Sequence, residues 1–286
     1  MFLSRGALCF TVFCVYNSRV TPWRQTQEGK VRYKDEDGMK NRYIQTAIVL
    51  AAAAGLLILL FFAVKTKKLQ INRWIVSDRD VIGADISEYQ VDVDMSALME
   101  QGIDFIYIKA TEGSGHVDSR FDDNWENAQE CGLPAGAYHF FSFDSPGEMQ
   151  ADNYIQAVGS LKGKLIPAVD VEYYGDKKEN PPKREDVVRE LRAFLDALEK
   201  EYHVRPLIYC SGDVYEKYIL KDFREYPRWV RSIYYPVTFE AGGNWVVWQY
   251  CDTAELEGYE GGERCIDLNV LNRGRSLEDL KTGQQR

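Results

Sequence analysis

The sequence predicts an α/β fold: a flattened, incomplete (β/α) barrel of the TIM type, preceded by one transmembrane helix. Three observations support this prediction. Short runs rich in β-branched and aromatic residues alternate with amphipathic stretches, which is typical of βα units with a parallel sheet. The last three of these runs follow one another too closely for long helices to lie between them. A long uncharged run precedes the whole series.

Composition and charge limit the possible functions. The 286 residues leave roughly 200 for a folded body once the apolar run is set aside, which is enough for one catalytic domain with a sizeable core. A hydrophobic content of 45% with 13% aromatic residues excludes disorder for this body and favours a surface with exposed rings. The net charge of -9 argues against a nucleic-acid partner, because phosphate binding needs a basic face.

The apolar run covers residues 44–64, carries no charge and is long enough to cross the hydrocarbon core as a helix. A buried core helix of this length would have a polar face, which the run lacks. A signal peptide would be shorter and end at small residues, whereas Phe61, Phe62 and Ala63 make a poor cleavage site. We therefore expect an uncleaved single-pass anchor in the cell membrane with an extracellular catalytic domain, and a secreted form only if the run were cleaved. Basic residues are balanced on its two sides, so charge does not settle the orientation.

These boundaries divide the chain into five segments. Residues 1–43 are either cytoplasmic or lie upstream of the true start, for which Met39 is a natural candidate. The other segments are the signal-anchor at 44–64, a polar tether at 65–80, the catalytic domain at 81–274 and a C-terminal tail at 275–286.

Within the catalytic domain, eight runs are predicted as strands. They begin at Val81, Ile103, Pro134, Leu165, Arg205, Arg228, Asn244 and Ile266. The clearest helix is Lys183 to Tyr202, where apolar residues recur at helical spacing opposite Glu and Arg. Pro181 and Pro182 lie just before its predicted start.

Acidic residues coincide with the ends of these strands. In a (β/α) barrel the active site lies at the C-terminal ends of the strands, where the loops converge. The acids found there are Asp85, Glu112, Asp170 and Glu172, and Asp267 lies in the last run.

The most informative motif is the segment from Pro167 to Glu172. Side chains two residues apart on a strand share a face, so Asp170 and Glu172 point together while Val169 and Val171 point away. Glycosidic cleavage needs one carboxylic acid to protonate the leaving oxygen and a second negative group to support the transition state. Close like charges supply the required difference in pKa. A strand end running into solvent would explain an isolated motif, but the other strand-end acids favour a site.

Cysteines and aromatic residues allow two readings each. The cysteines of the body lack the spacing of a zinc site. Cys251 and Cys265 flank a Gly-rich acidic loop, and both a disulfide and buried free thiols remain open.

Aromatic residues also allow two interpretations. An aromatic residue taken alone is more often a core residue than a ligand contact, and His139 is more often a structural histidine than a base. The aromatic residues near strand ends are Tyr138, Tyr209, Trp245, Trp248 and Tyr250.

Taken in order, the motifs resemble glycoside hydrolase family 25, the lysozymes of the Chalaropsis type, over residues 81–272. The resemblance is carried by GADISEYQ, FIYIKATEG, GLPAGAYHF, AVDVE, LIYCS, VWQY and IDLN. It implies a flattened barrel that hydrolyses the β-1,4 bond between N-acetylmuramic acid and N-acetylglucosamine in bacterial peptidoglycan, without a metal or an organic cofactor.

The same resemblance assigns residues to roles. It implies Glu172 as general acid and Asp170 as its partner, with Asp85 and Asp267 completing an acidic ring. The implied substrate-binding residues are Tyr138, Tyr209, Trp248 and Glu112. Two departures from the family affect the fit of the saccharide. Met95 stands where the family often has Trp, and Arg231 with Ser232 interrupts its WIAxY motif.

Two other functions are considered. A chitinase-like hydrolase also ends a strand with Asp-x-Glu, but its longer acidic run is missing because the residues before Asp170 are apolar. A catalytically silent glycan-binding surface protein would keep the barrel without the chemistry. The intact set of four acids argues against it.

Overall fold

A computed structural model of the chain describes residues 36–77, 79–238 and 245–283. Most of the predicted N-terminal segment, and Asn244 at the start of one predicted strand, lie outside the described residues. The chain divides into two compact units, residues 1–54 and residues 55–286.

The helix α1 spans Glu36–Lys65 and contains the predicted span. Its stretch Lys40–Lys65 is long and apolar enough to cross a membrane, and none of its most apolar window is buried. A buried core helix is thereby excluded for these residues, since such a helix would be covered by other elements. A signal sequence can pass the same test of length and hydropathy.

The remaining elements follow the predicted alternation. The strands are β1 (Ile82–Ile86), β2 (Gln90–Val91), β3 (Phe105–Glu112), β4 (His116–Val117), β5 (Ala135–Phe140), β6 (Ala168–Val171), β7 (Leu207–Cys210), β8 (Arg228–Arg231), β9 (Val247–Ala254), β10 (Glu260–Gly261) and β11 (Ile266–Leu271). The helices after α1 are α2 (Met95–Glu100), α3 (Phe121–Glu130), α4 (Gly147–Val158), α5 (Arg184–Tyr202) and the short α6 (Gly212–Val214). One π-helical turn covers Tyr215–Ile219, and 3₁₀ turns cover Ile71–Trp74 and Leu277–Leu280.

Eight strands close into a barrel in the order β1-β11-β9-β8-β7-β6-β5-β3, and β3 pairs with β1. These are the eight strands that the sequence predicts, and α5 begins one residue after the predicted start. The ring of strands is therefore complete, and the layer of helices is what is incomplete. In the described part of the chain, no long helix connects β8, β9 and β11.

One strand runs against the predicted parallel sheet. β11 is antiparallel to both β1 and β9 because no crossover helix lies between β9 and β11 to reverse the chain. Its first residues consequently lie at the same end of the barrel as the last residues of the parallel strands. The short pairs β2–β10 and β3–β4, which the sequence analysis did not identify, also flank this end.

Alternating side chains produce two apolar clusters. One lies between the sheet and the helices and includes Val169, Val171 and the buried face of α5. The other fills the barrel and includes Phe105, Tyr107 and Trp229. Glycine makes room for these rings: a Cβ at Gly83 would lie 2.3 Å from the ring of Phe105.

Both flanking segments pack against the barrel, although the sequence analysis describes them as a tether and a tail. Residues 66–76, which we call the strap, contact β8 and β9, and Asn72 in the strap is fully buried. At the other end of the chain, Leu280 is buried and Lys281 forms an isolated bridge with Leu165. Their polar composition gave no sign of this packing.

Candidate active site

The acid strand β6 has the predicted geometry. Val169 and Val171 are fully buried in the outer cluster, so Asp170 points into the barrel, and Glu172 follows directly after the strand. Asp170 pairs in register with Phe140 on β5 and with Tyr209 on β7. The two carboxyl groups therefore share the open end of the barrel.

Asp85 and Asp267 are opposite one another in the pairing of β1 with β11. The antiparallel direction of β11 brings Asp267 to this end of the barrel, although it is the second residue of its strand. Gln249 on β9 connects the two acids. Its amide Nε2 donates to Asp85 Oδ2 at 3.2 Å and to Asp267 Oδ2 at 2.9 Å.

The amide of Gln249 also fixes its own orientation. Its Oε1 accepts a hydrogen bond from the hydroxyl of Tyr209 at 2.9 Å, so its nitrogen faces the acids. Asn269 Nδ2 donates to Asp85 Oδ2 at 2.7 Å, while its Oδ1 accepts from Trp229 Nε1 at 2.7 Å. The acids are thus held by side chains that packing within the barrel locks in place.

Burial raises the pKa of both paired acids. The pKa of Asp85 rises to about 6, because desolvation outweighs the hydrogen bonds from Asn269 and Gln249. The pKa of Asp267 rises to about 8, first through burial and then through the negative charges of Asp85 and Asp252. At neutral pH this pair therefore retains a proton.

The catalytic candidates are shifted in the same direction. Burial, followed by the charges of Glu172 and Asp85, raises the pKa of Asp170 well above its usual range. Burial also raises the pKa of Glu172, against the opposing effects of Arg231 and the Tyr209 hydroxyl. Asp170 Oδ1 is buried without a hydrogen-bond partner among the described residues. Glu172 can therefore hold a proton for donation, and Asp170 has a free acceptor atom.

Glu172 lines an open cavity of about 460 Å³. Arg231, at the end of β8, lines the same cavity, and its guanidinium lies 3.0 Å from Asp252 Oδ2. The other lining residues are Tyr173, Lys178, Ser211, Gly212, Asp213, Ser232, Ile233, Tyr234 and Tyr235. The cavity offers aromatic and polar contacts to a carbohydrate on the side of the proposed acid.

The predicted aromatic contacts divide into two groups. Tyr209 lies among the acids, and Tyr138 faces them closely enough for the charges of Asp85 and Asp170 to raise its pKa. Trp248, which the sequence also predicts as a substrate-binding residue, lies apart from the acids. It is the neighbour of the inward-facing Gln249 on β9, so it points outward, is 3% exposed and donates to the carbonyl oxygen of Ser232 at 2.9 Å.

Glu112 lies at the rim, at the end of β3. Its carboxylate forms a 2.7 Å ion pair with Lys109, whose side chain is mostly buried. Lys109 in turn lies over the ring of Phe140 at 5.1 Å from its centroid. Glu112 thus orients the ammonium group of Lys109 at the mouth, and within the described part of the chain no hydrogen bond joins it to Asp170 or Glu172.

The sequence and the fold match known proteins. A profile of glycosyl hydrolases family 25 matches residues 84–259. The chain belongs to glycoside hydrolase family 25. This hydrolase is 42% identical to a family 25 glycosyl hydrolase from Bacillus anthracis over 73% of the chain and 96% of that structure, with a TM-score of 0.66. It is 27% identical to a muramidase from Trichobolus zukalii over 70% and 96%, with a TM-score of 0.61.

Among the curated relatives, Lysozyme M1 of Streptomyces globisporus is 29% identical to the hydrolase over 217 residues. The match covers 67% of the hydrolase and 68% of Lysozyme M1. Family membership excludes the chitinase-like alternative, which belongs to a different family of hydrolases.

Several functional residues of the hydrolase were not identified from the sequence. Gln249 and Asn269 organise the acids, yet they occur inside motifs that were recognised only as strands. A polar amide at an inward position of an otherwise apolar strand is the signal that marks them. Arg231 was noted only as a departure from the family pattern. Met95, the other departure, is buried at the start of α2 and does not line the mouth.

The remaining alternatives are resolved by contacts. His139 is fully buried between Thr111 Oγ1 at 2.7 Å and Gln150 Oε1 at 3.0 Å, and burial lowers its pKa to about 4. It is a structural histidine. The cysteines in the described part of the hydrolase, Cys251 and Cys265 among them, are free thiols.

Proposed function

We propose that this family 25 hydrolase is a muramidase that cleaves the β-1,4 bond between N-acetylmuramic acid and N-acetylglucosamine in peptidoglycan. The observation that carries the proposal is the pair Asp170 and Glu172, two desolvated carboxyl groups at the end of β6, of which Glu172 lines an open cavity. Relatives named as a lysozyme and as a muramidase support the choice of substrate.

Glu172 acts as the general acid. Burial raises its pKa, which favours the protonated form in the free enzyme, and it lines the cavity that would receive the saccharide. It donates its proton to the glycosidic oxygen as the bond to the anomeric carbon breaks. Asp85 acts on the partner of Glu172, because its negative charge contributes to the raised pKa of Asp170, and Asp267 shares the amide of Gln249 with Asp85.

Asp170 acts on the acetamide of the substrate. Carboxyl groups two residues apart on one strand leave little room for the attacking water of an inverting enzyme. The 2-acetamido oxygen of the substrate attacks the anomeric carbon instead, and Asp170 Oδ1, which lacks a partner, accepts the acetamide N–H. Glu172, now ionised, then takes a proton from the water that opens the intermediate, so the configuration is retained.

Digestion of purified peptidoglycan tests the proposal. Mass spectrometry of the products should find muramic acid at the new reducing ends, and NMR should find the retained anomer first. Glucosamine at the reducing ends would contradict the muramidase assignment, and no cleavage at all would favour the silent glycan-binding protein.

The apolar stretch Lys40–Lys65 further supports a single-pass membrane protein with its barrel outside the cell, where peptidoglycan is found. Protease added to spheroplasts should digest the barrel. Protection of the barrel, or a mature chain beginning near Lys65, would contradict the anchored form.

A further inference from the structure

The strap leaves no free linker between the end of α1 and the barrel. The backbone N–H groups of Thr66 and Leu69 donate to Phe62 and Ala63 in the last turns of α1, at 2.8 and 3.0 Å. Three residues after Leu69, Asn72 is 0% exposed. The chain therefore passes from α1 to a buried position on the barrel within seven residues of Lys65.

Asn72 joins the strap to two strands at once. Its Nδ2 donates to the carbonyl oxygens of Ser232, just after β8, and of Tyr250 on β9, at 2.8 and 3.1 Å. Strands β8 and β9 have no crossover helix on their outer side among the described residues, and the strap occupies this position. A buried amide with two backbone partners is a strong attachment, because separating it would leave buried polar groups without partners.

Three residues that line the Glu172 cavity are linked to the strap or to the end of α1, two of them directly and Arg231 through Asp252. Arg231 shares the carboxylate oxygen Asp252 Oδ2 with Lys67, at 3.0 and 2.6 Å. The carbonyl oxygen of Ser232 accepts from Asn72. The ring of Tyr234 lies 5.1 Å from Lys65 Nζ, at the last residue of α1. One layer of side chains thus separates the cavity from the end of the apolar helix.

The outer side of the strap is suited to a lipid surface. Trp74 is 74% exposed and Ile75 is 40% exposed, although both follow closely on an apolar span. Tryptophan near the end of a span lies preferentially at the headgroup level, and lysines there extend their ammonium groups towards water and phosphate. Lys68 and Arg73 add positive charge beside these two residues.

From these contacts we propose that the strap holds the catalytic cavity at the bilayer surface, so that the enzyme cleaves glycan strands next to the membrane, including strands attached to lipid at one end. The proposal rests on the proposed muramidase activity and anchor, and it restricts their substrate. A flexible tether would let the barrel reach glycan well beyond the headgroups, whereas the strap keeps the cavity close to the headgroup layer, which is roughly 6 Å thick on each side.

The experiment uses the full chain in phosphatidylethanolamine and phosphatidylglycerol vesicles that also contain lipid-linked peptidoglycan strands. Mass spectrometry measures the length of the glycan left on the lipid. A second protein carries twenty Gly and Ser residues between Lys65 and Thr66, which adds about 25 Å of flexible reach and keeps the contacts of the strap with the barrel from Lys67 onward. A matched control carries the same twenty residues after Arg286.

The native chain and the control should leave a short, uniform remnant on the lipid, and the linker variant a longer and more variable one. Equal remnants from all three proteins would overturn the proposal. Soluble glycan strands in detergent provide the separate test of activity: all three proteins should cleave them at equal rates. Failure there would remove the proposed function itself, whereas equal remnants with full activity would remove only the restriction to the membrane.

Discussion

The interior of the barrel has two layers of opposite chemistry. At the N-terminal ends of the parallel strands, aromatic and aliphatic side chains fill the barrel, and the rings of Tyr107 and Trp229 lie 4.9 Å apart. At the other end, Asp85, Asp170 and Asp267 occupy equivalent inward positions. The apolar layer stabilises the fold, while desolvation of the acids opposes it.

Tyr209 connects the two layers. Its ring packs on Trp229 with centroids 5.1 Å apart, and its hydroxyl donates to Gln249. The apolar layer, which we call the lower layer, makes the barrel rigid, and the acid layer, which we call the upper layer, carries the chemistry. Substitutions in the upper layer should reduce activity without reducing stability, and substitutions in the lower layer should reduce stability without reducing activity.

The largest effect is expected for Glu172→Gln in the upper layer. Loss of the proton donor should reduce kcat by about 10²- to 10⁴-fold, while the melting temperature stays within a few degrees of the native value. Turnover of purified peptidoglycan and thermal unfolding measure the two quantities. Glu130→Gln, on the exposed end of α3, is the control with native activity. Near-native turnover by the Glu172→Gln variant would exclude Glu172 as the general acid.

Leu207→Ala tests the lower layer. Leu207 is fully buried inside the barrel, so its truncation should reduce the free energy of unfolding by about 2–5 kcal/mol. Well below the melting temperature, kcat should change by less than about threefold. Leu220→Ala, at a residue that is 48% exposed, is the matched control with a small effect. A loss of kcat as large as that of Glu172→Gln would show that the layers are not separable.

Asp267→Asn should stabilise the protein at high pH. The folded pKa of about 8 exceeds the ordinary 3.8, so the folded state binds more protons between these values and stability falls as pH rises through this window. Replacing Asp267 by Asn removes this loss and should raise the free energy of unfolding at pH 8 by on the order of 2 kcal/mol. Urea unfolding at pH 4 and pH 8 measures it. A destabilised variant at pH 8 would contradict the assigned shift.

A smaller effect is expected for Arg231→Gln. Its positive charge lowers the pKa of Glu172, so its removal should move the alkaline limb of kcat/KM to higher pH. The change in kcat/KM at any one pH should be under about tenfold. Arg205→Gln, on the exposed surface, should leave the pH profile in place. A limb that moves to lower pH would contradict the role of Arg231.

Features of the barrel that depend on nearby residues could be predicted from the sequence, and features that depend on long-range pairing could not. The spacing of apolar residues over a few neighbouring positions predicts the eight strands, α5 and the orientation of Asp170. The outward orientation of Trp248 does not follow in this way, because it depends on the register of β9 against β8 and β11. The pairing of β9 with β11 contains irregularities. The direction of β11 and the packing of Asn72 depend likewise on residues far apart in the chain.

The most direct test of the two-layer account is Asp170→Asn, with kcat and the free energy of unfolding measured on the same protein at pH 7. Burial and neighbouring charge raise the pKa of Asp170, so removing its ionisable group should increase the free energy of unfolding at this pH. The same change should reduce kcat by about 100-fold or more, because the carboxylate that steadies the acetamide N–H as positive charge develops on it is replaced by a neutral amide. Native turnover, or a loss of stability together with the loss of turnover, would contradict the account.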